Sequence, residues 1–208
     1  MQKPPELDFQ LGKVRDLVQR FKAGGPEAFE PFRELVSLLL SLTILRPGAG
    51  IGLFYMTGRR ERGVVAGLQS FTDPLVLTNG CYLRLSITLY VAPTSEGRRL
   101  KVAESSFQYQ TDRDGKNWVF RYDYLRNPPH EYPGAHLQIR GALLERVLDH
   151  GMLEKIHFPT WRIPFESVIR LLADQFHVPC NSPPELWSPV LAESEKVFAE
   201  IAHKPLTE

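Results

Sequence analysis

The chain has 208 residues, 43% of them hydrophobic, so it can bury a sizeable core within one domain. Its 25 basic and 24 acidic residues nearly cancel, which excludes a generic electrostatic attraction to a long phosphate backbone. Cys81 and Cys180 form neither a CxxC pair nor a disulfide framework, which favours a reducing, cytoplasmic environment.

The sequence pattern predicts that residues 1–45 form a helical part at the start of the chain. Apolar residues recur at helical spacing over residues 9–21, and a Gly-Gly-Pro sequence separates them from a second amphipathic helix at about residues 27–42. The start of the chain lacks the apolar central region of a secretory signal. The most apolar stretch, residues 35–45, is far shorter than the roughly 20 residues of a membrane-spanning helix. We therefore expect no association with a membrane.

Between residues 64 and 141 the pattern becomes typical of an antiparallel sheet, with period-two alternation and many β-branched and aromatic residues. The connections APTSEG and DRDGKN are short, polar and contain glycine, so they favour hairpins over crossover helices. Gly115 in the second connection is expected to take a positive φ angle. We predict strands near residues 82–91, 99–110, 117–125 and 135–141, and a further strand near residues 64–77.

Two dense groups of basic residues could form a local patch for nucleic acid. Triplets of this kind are most often solvated loop tips, and we interpret both groups in this way. The two groups are Arg59, Arg60 and Arg62, and Arg98, Arg99 and Lys101.

Residues 142–178 predict helices that cover the sheet. The segment ALLERVLDHGMLEKI favours a short helix, and apolar residues form one face of a second helix at residues 165–176. A proline-rich linker precedes a final helix at about residues 184–203. Together these elements predict an α+β fold in which helices cover one face of an antiparallel β-meander. We expect residues 1–208 to form a single domain with N-terminal helices and a C-terminal helix.

The segment from Trp118 to Gly141 contains the strongest functional signal. Its first strand alternates between an aromatic face and a charged face, and Arg121 and Asp123 lie on the charged face. The alternation returns after a proline-rich turn, where His136 and Arg140 share a face. If consecutive strands pair, these four side chains lie close together. The preceding strand would add Glu104 and Gln108.

An arginine beside a histidine can bind a phosphate or a carboxylate while the histidine transfers a proton. We therefore take His136, His130 and Arg121 as candidate catalytic residues. Alternating charges on an exposed sheet face also occur without any catalysis, and that structural interpretation is the more common one. The candidate binding residues are Arg140, Asp123, Tyr122, His157 and Arg162.

Three histidines and a carboxylate invite comparison with a zinc site. The spacing of these residues matches neither HExxH nor a zinc finger, so we predict no metal and no other cofactor. No GxSxG motif, Cys/His pair or carboxylate dyad stands at a recognised spacing either. The residues compared are His130, Glu131, His136 and His157.

The same part of the chain resembles the toxin component of small bacterial toxin–antitoxin loci of the Tum type, or neighbouring uncharacterised families of similar layout. That group shares a WxFRYDY strand, a Pro/His loop, an HLxI strand and an FPT–RIP approach to a helix, and the similarity covers about residues 100–176. The resemblance implies a bacterial, toxin-like or defence-related protein. This chain differs by its two N-terminal helices and its C-terminal helix. The matching positions are Phe120, Arg121, Tyr122, Asp123, Pro129, His130, His136, His157, Phe158 and Pro159.

Two functions fit these observations. In the first, the protein acts on RNA or a nucleotide without a metal, because the 2′-hydroxyl of RNA supplies the nucleophile. His130 and His136 would transfer protons, and Arg121 and Arg140 would bind phosphate. The near-zero net charge argues against a long RNA substrate. This function requires Arg121 and His136 to converge within one concave site.

In the second, the chain binds a cognate protein partner and catalyses no reaction. Aromatic residues of the kind found on its strand face and loop often anchor interfaces. If helices cover this face instead, those residues belong to the core and the hypothesis loses its main support. The anchors would be Trp118, Tyr122, Tyr124 and Tyr132.

Overall fold

The computed structural model describes residues 5–56, 59–95, 97–129, 134–140 and 161–202. Two helices lead the chain, α1 (Pro5–Lys22) and α2 (Phe29–Leu42), with a 3-10 turn at Pro26–Ala28 between them. Two more follow the sheet: α3 (Phe165–Arg170), which continues as a π-helical turn at Leu171–Gln175, and α4 (Pro184–Ala202). The strands are β1 (Ile51–Met56), β2 (Arg59–Gly67), β3 (Leu75–Val76), β4 (Tyr82–Thr94), β5 (Gly97–Gln110), β6 (Trp118–Leu125) and β7 (Ala135–Ile139).

The α+β prediction is confirmed, because the seven strands form one antiparallel sheet. The order β1-β2-β4-β5-β6-β7 follows the chain, and the short β3 pairs with β4. The sheet begins at β1, earlier than the predicted residue 64. The one strand predicted at residues 64–77 is in fact β2 and β3. A turn separates these two strands, in which the backbone N–H of Asp73 donates to the carbonyl of Ser70 at 3.2 Å.

The two basic groups interpreted as loop tips lie in strands, so that interpretation is wrong. The first group belongs to β2 and the second to β5. Strand pairing sets Arg62 and Lys101 on either side of Tyr90 in β4. Consecutive basic residues hide the period-two alternation that reveals a strand. The residues concerned are Arg59, Arg60, Arg62, Arg98, Arg99 and Lys101.

One face of the sheet is covered by helices and forms the core. Phe107 of β5 stacks on Phe165 of α3, with ring centroids 5.5 Å apart. Tyr109 and Phe120 lie 5.1 and 5.4 Å from the ring of Phe176, which follows α3. Aromatic pairs of this kind bury large apolar surfaces. The aromatic face of β6 is therefore part of the core.

The N-terminal helices cover another part of the same face. Phe29 of α2 is fully buried over Gly63 of β2, where an added Cβ would lie 3.3 Å from the phenyl ring. α1 packs against both α2 and α4. At the contact between α1 and α4, Arg15 donates to Glu193 at 2.7 Å. The two ends of the described chain therefore meet in the helical layer.

The predicted C-terminal helix corresponds to α4. Before it, the side chain of Asn181 donates to the carbonyls of Ser41 at 3.0 Å and Leu45 at 2.7 Å, which joins the linker to the end of α2. The short helix predicted within residues 142–156 lies outside the described residues. None of the described helices combines the length and apolarity needed to cross a bilayer.

Glu166 places a carboxyl group inside the contact between α3 and α4. It is 6% exposed and accepts a hydrogen bond from the hydroxyl of Ser194. Burial raises the pKa of Glu166 above its ordinary value, although the bond from Ser194 partly opposes this shift. The folded protein therefore holds this proton more tightly than the unfolded chain. The resulting stability is full below the unfolded pKa and is lost as pH rises through the folded pKa.

The substitution Glu166→Gln keeps the acceptor oxygen for Ser194 and removes the titration. We expect the variant to match the wild type near pH 4 and to become the more stable protein by about pH 8, as measured by urea denaturation across this range. The control Glu193→Gln should have the opposite sign at neutral pH, because Lys196 and Arg15 lower the pKa of that half-buried carboxyl. Parallel pH profiles for Glu166→Gln and wild type would contradict the assignment.

The aromatic packing at Phe120 should contribute strongly to stability. Phe120→Ala removes a fully buried ring and should lower the free energy of unfolding by about 3–5 kcal/mol. Phe9→Ala is the matched control, because Phe9 is 69% exposed, and it should change stability by no more than about 0.5 kcal/mol. Urea denaturation measures both. Similar effects at the two positions would show that the aromatic face of β6 is not the core.

Candidate functional site on the open face of the sheet

The sheet face opposite the helices carries the polar side chains, and we call it the open face. Strand pairing sets Arg84, Gln108, Arg121 and Gln138 in one row across β4, β5, β6 and β7. Side chains within a row and in adjacent rows are neighbours. The adjacent row consists of Ser86, Ser106, Asp123 and His136.

Arg121, Asp123 and His136 meet on this face, and we call them the Arg–Asp–His cluster. Nε of Arg121 donates to Oδ2 of Asp123 at 2.7 Å, and Nε2 of His136 lies 3.5 Å from the same oxygen. Nε2 of Gln138 lies 3.4 Å from Nε2 of His136. The three clustered side chains are 38%, 22% and 23% exposed, so a ligand can reach them. The structure thus brings Arg121 and His136 together through one carboxylate.

A second arginine lies in the same row. Gln108 is 6% exposed, separates Arg84 from Arg121, and donates to Oε1 of Gln110 at 2.7 Å. Two strand spacings set the backbones of the two arginines about 10 Å apart. Arg84 forms no hydrogen bond or ion pair with any described residue, and its Nε is buried. Such a guanidinium group is suited to donate hydrogen bonds to a ligand oxygen.

The hairpin loop at residues 111–117 lies over the Arg84 end of the open face. The positive φ expected for Gly115 is confirmed at 76°, and an added Cβ would lie 3.2 Å from Nε2 of Gln108 and 3.3 Å from Nη2 of Arg84. Arg140 follows β7 and donates to a carbonyl of this loop. The loop therefore forms a wall beside the row of arginines, and the hydrogen bond from Arg140 holds the loop against β7.

Asp112 maintains the shape of this loop. Its carboxylate oxygens accept the backbone N–H groups of Lys116 at 3.0 Å and Asn117 at 2.5 Å. Desolvation acts to raise the pKa of Asp112, but these backbone donors outweigh it and lower the pKa below its ordinary value. The loop is therefore closed by a charged carboxylate at neutral pH.

Two predicted binding residues lie on the other face of the sheet. Tyr122 is 3% exposed and its hydroxyl is buried, which raises its pKa, so the prediction that it binds a ligand is wrong. Arg162 reaches the sheet, but its guanidinium lies 4.3 Å from the ring centroid of Tyr124, on the face that the helices cover. Because side chains alternate along a strand, neither lies on the same face as Arg121. The remaining candidates, His130 and His157, lie outside the described residues.

Of the two residues that β5 was expected to add to the site, only Gln108 lies beside Arg121 in the sheet. Glu104 instead accepts a hydrogen bond from the hydroxyl of Thr88 at 2.8 Å. The sequence analysis missed Arg84 and Tyr90, although β4 alternates polar and apolar residues along most of its length. Their relation to Arg121 depends on pairing across three strands, which no local pattern reveals.

The aromatic residues expected to anchor a protein partner contribute little exposed surface. Tyr122 belongs to the core, and Trp118 and Tyr124 are partly buried. Tyr132 lies outside the described residues. The partner hypothesis therefore loses its main support from this strand.

Among the described residues, no three His, Cys, Asp or Glu side chains lie close enough to share a metal ion. Cys81 and Cys180 are free thiols. No protein-family model, curated protein or solved structure matches this chain. The resemblance to Tum-type toxins stays a prediction.

The wall beside the arginines should depend on the absence of a side chain at Gly115. Gly115→Ala places a Cβ at positive φ and against Gln108, so it should destabilise the protein by about 1–2 kcal/mol. Gly12→Ala is the control, because an added Cβ there meets nothing within 4 Å and favours α1 by about 0.5–1 kcal/mol. Urea denaturation of both variants should give shifts of opposite sign. A neutral Gly115→Ala would contradict the close contact between loop and sheet.

Proposed function

We propose that the open face binds the phosphate of an RNA or a nucleotide and that the Arg–Asp–His cluster promotes its cleavage. The observation that carries the proposal is the contact of Arg121 and His136 with the same oxygen of Asp123 on an accessible face. Arg84 in the same row has no partner among the described residues. If the pair of Arg121 and Asp123 served only stability, nothing would explain why Arg84 beside it has no partner among the described residues.

The chemistry uses groups that the cluster already holds. Nε2 of His136 lies 3.5 Å from Asp123 and 3.4 Å from Gln138, and contacts of this length are weak enough for a ligand oxygen to replace them. In RNA cleavage it would take the proton of a 2′-hydroxyl, whose oxygen then attacks the adjacent phosphorus. The bond from phosphorus to the 5′-oxygen breaks, a 2′,3′-cyclic phosphate forms, and the leaving oxygen takes a proton from water.

The arginines and the carboxylate have separate roles in this scheme. Arg121 would stabilise the negative charge that develops on the phosphate oxygens, since preorganised cations act most strongly there. Asp123 would orient Arg121, whose Nε donates to it at 2.7 Å. Together with the resemblance to Tum-type toxins, such an activity would inhibit the growth of a bacterial cell.

The test is cleavage of a single-stranded RNA in the presence of a metal chelator, with analysis of the product ends. We expect wild-type protein to release 2′,3′-cyclic phosphate ends and His136→Gln to be slower by about 10²–10⁴-fold. Arg121→Gln should be slower by about 10²–10³-fold, because it removes charge stabilisation. A strand with 2′-deoxyribose should not be cleaved, since it lacks the nucleophile.

His177→Asn is the matched control for the histidine substitution. His177 is exposed after α3 and has φ of 52°, a conformation that asparagine tolerates. Its cleavage rate should equal that of the wild type. Equal rates for wild type and His136→Gln would remove the cluster from the mechanism. A folded wild type that neither binds nor cleaves RNA or nucleotides, yet copurifies with one protein, would favour the cognate-partner function instead.

A further inference from the structure

We propose that the ligand of the open face is a single-stranded RNA, which extends from the Arg–Asp–His cluster to a second cationic row made of Arg62, Tyr90 and Lys101. The inference rests on the proposed function and specifies its substrate. A single nucleotide would occupy the cluster alone. A single strand would contact both rows.

The register of the sheet defines the second row. Arg62 of β2 and Lys101 of β5 are the direct partners of Tyr90 in β4, so the three residues lie side by side across three strands. Tyr90 and Arg84 are both on β4 at an even offset in sequence, so they share the open face. The two rows therefore belong to one continuous surface.

The basic side chains of the second row have no acidic partner in the part of the chain that the structure describes. Arg62 and Lys101 form no ion pair or hydrogen bond with any described residue. Arg98, from the same basic group as Lys101, instead pairs with Glu61. Nε of Arg62 is buried without an acceptor among the described residues, as is that of Arg84. Phosphate oxygens would supply acceptors for the guanidinium groups in both rows.

The distance between the rows indicates how long the ligand must be. Tyr90 lies six positions after Arg84 in β4, which corresponds to about 20 Å along the strand. One nucleotide cannot span this distance, whereas a short single strand can. Charged surfaces with stacking aromatics bind roughly 4–16 nucleotides in other single-strand binding folds. The small net charge of the chain agrees with a short site, because a short single strand requires only a few cationic contacts.

Tyr90 gives the second row a surface for a base. It is partly exposed and lies between two cations on neighbouring strands. Bases stack on aromatic rings with little sequence preference, while the flanking cations hold the phosphates. The acidic residue between the two rows is Glu104, whose carboxylate is already engaged by the hydroxyl of Thr88. A bound RNA would therefore pass the carboxylate of Glu104 and reach the ring of Tyr90 between the positive charges of Arg62 and Lys101.

The experiment measures binding of a fluorescent single-stranded RNA of about 12 nucleotides to His136→Gln protein, which should not cleave it, over a range of salt concentrations. On this background, Arg62→Gln/Lys101→Gln should weaken binding and reduce the slope of log affinity against log salt by about 1.4, or about 0.7 for each phosphate contact. Binding of adenosine monophosphate should not change. Tyr90→Ala should weaken RNA binding by about 5- to 150-fold, and Tyr90→Phe should preserve it.

Lys13→Gln/Arg20→Gln is the matched control, because it removes two exposed positive charges from α1 in the helical layer. It should leave both the affinity and the salt slope unchanged. If Arg121→Gln abolishes RNA binding while the Arg62/Lys101 variant binds like the control, the extended path is wrong and the proposed site stands. If folded protein binds neither RNA nor adenosine monophosphate at low salt, both proposals are overturned.

Discussion

The antiparallel register that joins β5, β6 and β7 is the constraint on which the site depends. Asp123 faces His136 only in this register, and Arg121 contacts Asp123 because both lie on one face of β6. A slip of one residue would turn Tyr122 to the open face and the charged residues into the core. The packing of Phe120 against Phe176 opposes that slip, because it fixes which face of β6 is buried.

The two faces of β6 therefore have separate physical roles. The aromatic side supplies stability through burial beneath the helices, whereas the partly exposed pair of Arg121 and Asp123 adds little. Substitutions in the Arg–Asp–His cluster should leave the fold intact for this reason. The cluster can then be altered to test function without unfolding the protein.

Alternation in WVFRYDYL was sufficient to predict which side chains share a face, and the glycine-bearing connections predicted the hairpins. The relation of Arg121 to His136 followed because consecutive strands pair. Arg84 was not predictable, because its row depends on contacts across three strands. Arg62 was misassigned because consecutive arginines conceal a strand. The exclusion of Arg162 from the site required its contact with Tyr124, which no spacing specifies.

The central claim is that the open face, rather than the helical layer, contacts RNA. Photo-crosslinking to a 2′-O-methylated single strand containing 4-thiouridine, followed by mass spectrometry of the linked peptides, tests it most directly. We expect linked residues in β4, β5 and β6, including Tyr90, and their loss in competition with unlabelled RNA. Crosslinks confined to α1 and α4, or a folded protein that forms none, would contradict the account.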